Sequence, residues 1–231
     1  MTAMRKPRSG PALSPTPRQR LTPDLRRKQI LDAAIGYFAE VGFDGGTREL
    51  ARRLGVTQPL IYRYFPSKED LVRAVYEDVY LNQWQPDWEL LLADRHKPIR
   101  ERLIGFYECY TATIFTPAWL RIYLFAGLRG LEINHWWMTF VEHHLLRRIA
   151  EAVRVAAGLP SVEESPIGLE ELELYWMFHG GIFYYGLRRE VYRRPPAVPL
   201  GTFIAGSVDA LLAGLPPVLG ALIGPTEPRR A

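Results

Sequence analysis

Apolar positions recur at helical spacing along most of the chain, and no run alternates polar and apolar residues for long enough to suggest a strand. Thr22-Pro23-Asp24 offers an N-cap, a proline at the first helical position and an acid in the first turn. Ile30, Ala34 and Phe38, with Leu31 and Ile35 beside them, then repeat until Gly42 supplies a stop, so a helix is predicted over about 24–41. Short helices are predicted from Thr47 to about Leu54 and from Thr57 to about Tyr64, after which Pro66 breaks the chain. Ser67-Lys68-Glu69-Asp70 has the form of a capping box and launches a longer helix, about 67–92, with Leu71, Val75 and Val79 on one face. Further helices fit about 98–115, 118–127, 131–157, 167–192 and 199–214. The predicted fold is all-α.

The pattern divides the chain into a Pro/Arg-rich flexible arm (1–21), a small three-helix unit (22–68), a larger helical domain (69–216) and a tail (217–231). From Pro195 to Thr226 the only charge is Asp209, which raises the possibility of a membrane span. Pro216 and Pro217 leave only about 16 residues of uninterrupted helix, short of the roughly 20 needed to cross a bilayer. Small residues such as Gly201, Gly206, Ala210, Ala213 and Gly214 fit a helix shared in a protein interface better, so no membrane partner is expected.

Charge separates the two units further. Residues 1–68 hold 13 Lys and Arg against 5 Asp and Glu, whereas the remainder holds 16 against 20. A basic N-terminal third suits contact with a polyanion. The lone cysteine, Cys109, cannot form an internal disulfide, and no apolar leader opens the sequence, so a cytoplasmic location is expected.

Within the basic unit, residues Thr47 to Phe65 have the spacing of a helix-turn-helix. Ala51 is small where two short helices would cross, Gly55 tolerates a positive φ in the turn, and Leu50, Leu54, Val56 and Ile61 form a shared core. Thr57 would cap the second helix, leaving an amide-rich N-terminus suited to a phosphate. Polar or flat residues follow at the end that would enter a major groove.

Over about residues 24–72 this sequence resembles the tetracycline-repressor (TetR) family of transcriptional regulators. The resemblance lies in the helix-turn-helix, the run Tyr62-Arg63-Tyr64-Phe65, and Pro66-Ser67-Lys68-Glu69-Asp70-Leu71. It implies a DNA-binding head joined to a helical ligand-binding and dimerisation domain. It also implies phosphate contacts from Thr47, Thr57, Tyr62, Tyr64 and Lys68, and base contacts from Arg48, Gln58 and Pro59. The side chains suit those roles: Arg can take guanine, Gln can take adenine, and Pro offers an apolar face to a thymine methyl. Partners implied are an operator in double-stranded DNA, a second copy of the chain through its last two long helices, and a small-molecule effector.

The region beyond residue 80 is dense in aromatics, most of them expected as core. Two stripes mix large rings with an imidazole: Trp137, Phe140 and His144 on one helix, and Trp176, His179 and Phe183 on another. That composition suits a pocket for a largely apolar small molecule. Catalysis is not expected. Glu132 and His135 form one Glu-x-x-His unit where di-iron bundles need two, and the sequence offers no nucleophile triad, phosphate-cradling glycine loop or cysteine pair. No cofactor and no metal are therefore expected. The competing reading is a helix-turn-helix architectural or partner-binding protein with no small-molecule ligand.

Overall fold

The computed structural model describes residues 21–223, so nearly all of the expected N-terminal arm and the end of the expected tail lie outside the described residues. Eleven α-helices and no strand occur among the described residues. The first three, α1 (Pro23–Val41), α2 (Thr47–Leu54) and α3 (Gln58–Tyr64), form the N-terminal head. Thr22 Oγ1 accepts from the Leu25 amide at 3.3 Å, and Gly42, at φ 77°, ends α1 with its N–H on Phe38 O. Ile30, Ala34 and Phe38 are sealed from solvent together with Leu50, Ile61 and Leu71, which closes the head's core.

Helix α4 (Lys68–Val79) opens with the capping box read from the sequence. Asp70 N–H donates to Ser67 Oγ at 3.0 Å and Ser67 N–H donates back to Asp70 Oδ2 at 3.1 Å. The single helix expected over about 67–92 is instead two. A 3-10 turn at Leu81–Gln83 follows α4, and α5 begins only at Pro86 (Pro86–Ala93). Pro86 explains the break: it has no N–H to give and it forces Gln85 into an extended conformation (φ −104°, ψ 122°).

Helices α6 (Ile99–Ile114), α7 (Pro117–Leu128), α8 (Glu132–Val141), α9 (Arg147–Ala157), α10 (Leu169–Gly186) and α11 (Leu200–Ile223) build the larger domain. The expected 131–157 helix is α8 and α9 joined by a π turn at Glu142–Leu146, and a second π turn, Leu187–Val191, ends α10. A buried ion pair fastens α9 to α10: Arg154 meets both carboxylate oxygens of Glu171, Nε to Oε1 at 2.8 Å. Arg154 Nη1 also donates to Ser165 O at 2.6 Å, so this fully buried guanidinium is matched by a charge and by backbone carbonyls.

The last helix corrects two expectations. It does not stop near residue 214 but runs through Pro216 and Pro217 to Ile223, so residues 217–223 are helix rather than tail. A proline costs a helix its own hydrogen bond without compelling it to end, and Leu215 and Leu219 are buried on either side of the pair. At 24 residues, Leu200–Ile223 is long and apolar enough to cross a membrane by length and composition, so the length argument drawn from the prolines does not hold. Its other side packs on α6 and α10 through Ile204, Val208, Leu211, Leu215 and Leu219. Leu211 thus belongs to the core of its own domain, not to an outer seam.

The head and the larger domain meet along α1 and α7. Arg121 of α7 donates from Nε to Ala39 O at 2.5 Å and from Nη2 to Glu40 O at 3.1 Å, capping the last turn of α1. Arg129 pairs with Asp44 just beyond it.

Candidate nucleic-acid interface and sensor cleft

Gly55 makes the turn between α2 and α3 in the left-handed conformation (φ 69°, ψ 35°), and Val56 N–H reaches back to Ala51 O at 3.0 Å. Ala51 is buried at the crossing, as a close helix approach requires. Thr57 occupies the N-cap of α3 with extended backbone, yet its hydroxyl makes no capping bond and the residue is exposed. The first amides of α3 are therefore not satisfied by that side chain. Pro59 stands exposed in the same first turn.

Thr47 is the first residue of α2 and is buried rather than presented to solvent. Its Oγ1 accepts from Gln58 Nε2 at 2.8 Å and lies 2.9 Å from the Tyr62 hydroxyl. These three residues form a polar joint between α2 and α3. Arg48 is exposed and makes no ion pair among the described residues. Arg52 and Arg53, by contrast, are held by Glu49, and Arg53 also by Glu40. The two guanidinium groups hold the half-buried Glu49 carboxyl down at about 2. Phe65 is core, whereas Tyr62 is 37% exposed. Tyr64 and Lys68 are half-buried, and Lys68 lines a cleft of about 410 Å³ between the head and the larger domain, with Phe43, Val72, Arg129 and Trp136.

The larger domain brings four of the six predicted effector residues together. Trp137, Trp176, His179 and Phe183 line one cleft of about 180 Å³, joined by Tyr123, Met138, Val141 and Gly180. Phe140 and His144 lie outside it. Phe140 stacks behind Trp137 at 5.5 Å, and His144 stacks on Phe140 at 4.2 Å while its Nδ1 meets Glu89 at 3.0 Å. The three rings do share a face, as their spacing predicts, but only Trp137, at one end of the stack, reaches the cleft.

His179 is 6% exposed, and desolvation pushes its pKa down to about 4, so the imidazole is neutral at pH 7. The Tyr107 hydroxyl sits 3.3 Å from His179 Nδ1. Burial raises the Tyr107 phenol well above its ordinary value, so it keeps its proton and can donate to Nδ1, which leaves the imidazole proton on Nε2.

Residues 30–75 match the family described as bacterial regulatory proteins, tetR family. Over 90 residues the chain is 37% identical to the HTH-type transcriptional repressor NicS of Pseudomonas putida, covering 38% of this chain and 42% of that protein. It is 32% identical over 92 residues to the class A tetracycline repressor from transposon 1721 of Escherichia coli, covering 36% and 43% respectively. The N-terminal segment is thus similar to the DNA-binding domain of TetR-family regulators. These matches span about two fifths of the relatives' own length. The fold extends further: a TetR-like regulator from Rhodococcus sp. RHA1 superposes with a TM-score of 0.57 at 19% identity, over 84% of this chain and 100% of that one.

The TetR match ends at residue 75, short of every residue that lines the aromatic cleft. Sequence reasoning therefore had only helical periodicity to work with there. Val141, four residues on from Trp137, was within its reach, whereas Met138, one residue on, lies about 100° round the helix and was not. Tyr123, on α7, and Tyr107, on α6, were not, because nothing in a sequence states which separate helices meet.

Proposed function

We propose that this protein is a homodimeric, ligand-responsive repressor of the TetR family that leaves its DNA operator when a small, largely apolar ring compound enters the Trp137–Trp176 cleft. The observation that carries this reading is the line of contacts from cleft to head. Tyr123 lines the cleft, and two residues before it on α7 Arg121 grips the end of α1. A ligand that displaces Tyr123 favours a different α7 position, and α7 holds the head. Two heads enter successive major grooves only when their recognition helices stand about 34–36 Å apart. A ligand preferring another spacing draws the population away from DNA.

On the head, the free Arg48, with Gln58 and Pro59 at the start of α3, supplies the base-reading groups. Thr57, Tyr62, Tyr64, Lys68 and the α2 start at Thr47 supply phosphate contacts. The dimer reading rests on α10 and α11. Only 22% of the most apolar stretch of α11 is buried, and its single charge, Asp209, is bound to Arg100 of the same chain at 2.6 Å. What remains outward is uncharged and mostly small, Gly206, Ala210, Ala213, Gly214 and Pro217, with the larger Val218 and Leu222 in the last turns. Beside it α10 exposes Met177, Gly180, Gly181 and Tyr184. A contiguous apolar face of this kind marks an interaction surface, and its small residues suit close approach of a second copy.

One observation favours the reading without a ligand: the cleft, at about 180 Å³, is smaller than the roughly 300 Å³ usual for small-molecule sites. The deciding experiment maps the DNA protected upstream of the protein's own gene, then screens aromatic and lipophilic compounds for release. Specific protection with release by at least one compound supports the repressor. Specific protection without release, and with no thermal shift from any compound, favours the architectural reading.

A further inference from the structure

A second cleft, of about 290 Å³, lies between α5, α6 and α9 and shares no lining residue with the aromatic cleft. Four arginines line it, Arg95, Arg102, Arg147 and Arg148, against two glutamates, Glu89 and Glu151. The glutamates are already engaged. Glu89 binds Arg148 at 2.6 Å and His144 at 3.0 Å, and Glu151 accepts from the Val162 amide at 3.1 Å. Arg147 uses Nη2 on Glu142 and leaves Nε buried without a partner.

Arg102 is the decisive residue. It is 6% exposed, yet no carboxylate lies within salt-bridge distance among the described residues, and its only acceptor there is Leu92 O, at 2.8 Å. Its Nε is also buried without a partner. A guanidinium carries five N–H donors, and burying one with a single acceptor and no counter-charge is costly. The same domain shows how a buried arginine is otherwise accommodated: Arg154 has Glu171 and a set of backbone carbonyls. The rest of the second cleft is apolar, walled by Leu92, Ala152, Val155 and Val162.

We propose that this cleft binds an amphipathic organic acid, its carboxylate on Arg102, Arg95 and Arg147 and its aliphatic tail along Leu92, Val155 and Val162. The carboxylate supplies the acceptors that Arg102 and Arg147 lack, in the bidentate geometry that guanidinium favours. The inference does not depend on the aromatic cleft or on the direction of regulation.

The test is calorimetric titration of the full chain with octanoate, hexanoate and 1-octanol. Octanoate should bind saturably, 1-octanol at least tenfold more weakly, and each methylene removed from the acid should cost about fourfold in affinity. Arg102→Gln should abolish the preference for acid over alcohol. Because Arg102 is buried, the more accessible changes Arg95→Ala and Arg147→Gln serve should that variant fail to fold, and each should weaken octanoate several-fold while leaving 1-octanol unchanged. Trp176→Ala should leave octanoate binding intact. The proposal is overturned if no acid binds at millimolar concentration, if octanol binds as tightly as octanoate, or if the arginine variants bind octanoate normally. Loss of octanoate binding in Trp176→Ala alone would place the acid in the aromatic cleft and overturn it equally.

Discussion

Gln58, at the first position of α3, donates from its side-chain amide to the hydroxyl of Thr47, eleven residues earlier at the start of α2. The bond ties the two helices together across the turn, with Gln58 half-buried. A base edge engaging that same N–H would compete with Thr47, while the second N–H and the amide oxygen stay available. Thr47→Val keeps the shape of the side chain and removes the acceptor. It should lower the thermal stability of the protein by an amount equivalent to about 1 kcal/mol, and it should leave Tyr62 and Gln58 without their shared partner. A melting curve identical to that of the unmodified protein would show that the joint carries no weight.

Readout and anchoring should separate by mutation. Arg48→Ala and Gln58→Ala should each weaken operator binding by about 1–3 kcal/mol and relax preference at particular base pairs. Lys68→Ala should weaken all sequences alike and reduce the salt slope by about one. Binding isotherms across a salt series, on an operator and on single-base variants, check both. A change of base preference in Lys68→Ala, with none in Arg48→Ala, would reverse the roles.

The dimer face can be tested at a position that leaves the monomer's core alone. Leu211 is buried within its own domain, so an arginine there would damage folding whatever the oligomeric state. Ala213 points outward on α11. Ala213→Arg should give a folded monomer by light scattering and circular dichroism, because two unpaired charges would meet at the seam of a close-packed dimer. A monomeric unmodified protein would end the dimer reading at once.

Local signals carried the head and faded in the larger domain. Thr22, Gly42, Gly55 and the Ser67–Asp70 box are read within four residues of themselves, and the structure uses each where the sequence puts it, apart from the Thr57 hydroxyl. The break at Pro86 was also local and legible, since a proline restrains the residue before it. The course of α11 was less so, because whether a helix survives two prolines depends on what packs beside them. Which ring of the first aromatic stripe reaches the cleft was out of reach, because it depends on where a separate helix, α10, packs against that stripe.

Burial of His179 links stability to pH. Its folded pKa, about 4, lies below the ordinary 6.5, so the unfolded chain binds the extra proton first. The contribution of neutral His179 is complete above about pH 6.5 and is lost as pH falls toward about 4, amounting to about 3 kcal/mol across that window. His179→Gln should flatten the pH dependence of thermal stability between those values. An unchanged slope would mean that the imidazole titrates normally and is hydrated.

The aromatic cleft offers the sharpest test of effector sensing, because its walls differ in what they support. Trp176 and Phe183 are only half-buried and face the cleft, whereas Phe140 stacks behind Trp137 and does not line it. Removing a ring that only lines a cleft should cost less than the roughly 3–5 kcal/mol typical of a buried aromatic. Trp176→Ala and Phe183→Ala should therefore stay folded, keep operator affinity nearly unchanged, and lose release by the inducer. Phe140→Ala should retain release, weakened through the looser seating of Trp137. Fluorescence anisotropy of labelled operator, titrated with the released compound, reads affinity and release together. If Trp176→Ala instead melts far below the parent protein, and no compound from an aromatic panel shifts the parent's melting temperature, then Trp137 and Trp176 pack only against each other and their neighbours. The Tyr123–Arg121 connection would then brace the head on the larger domain without carrying a signal to it.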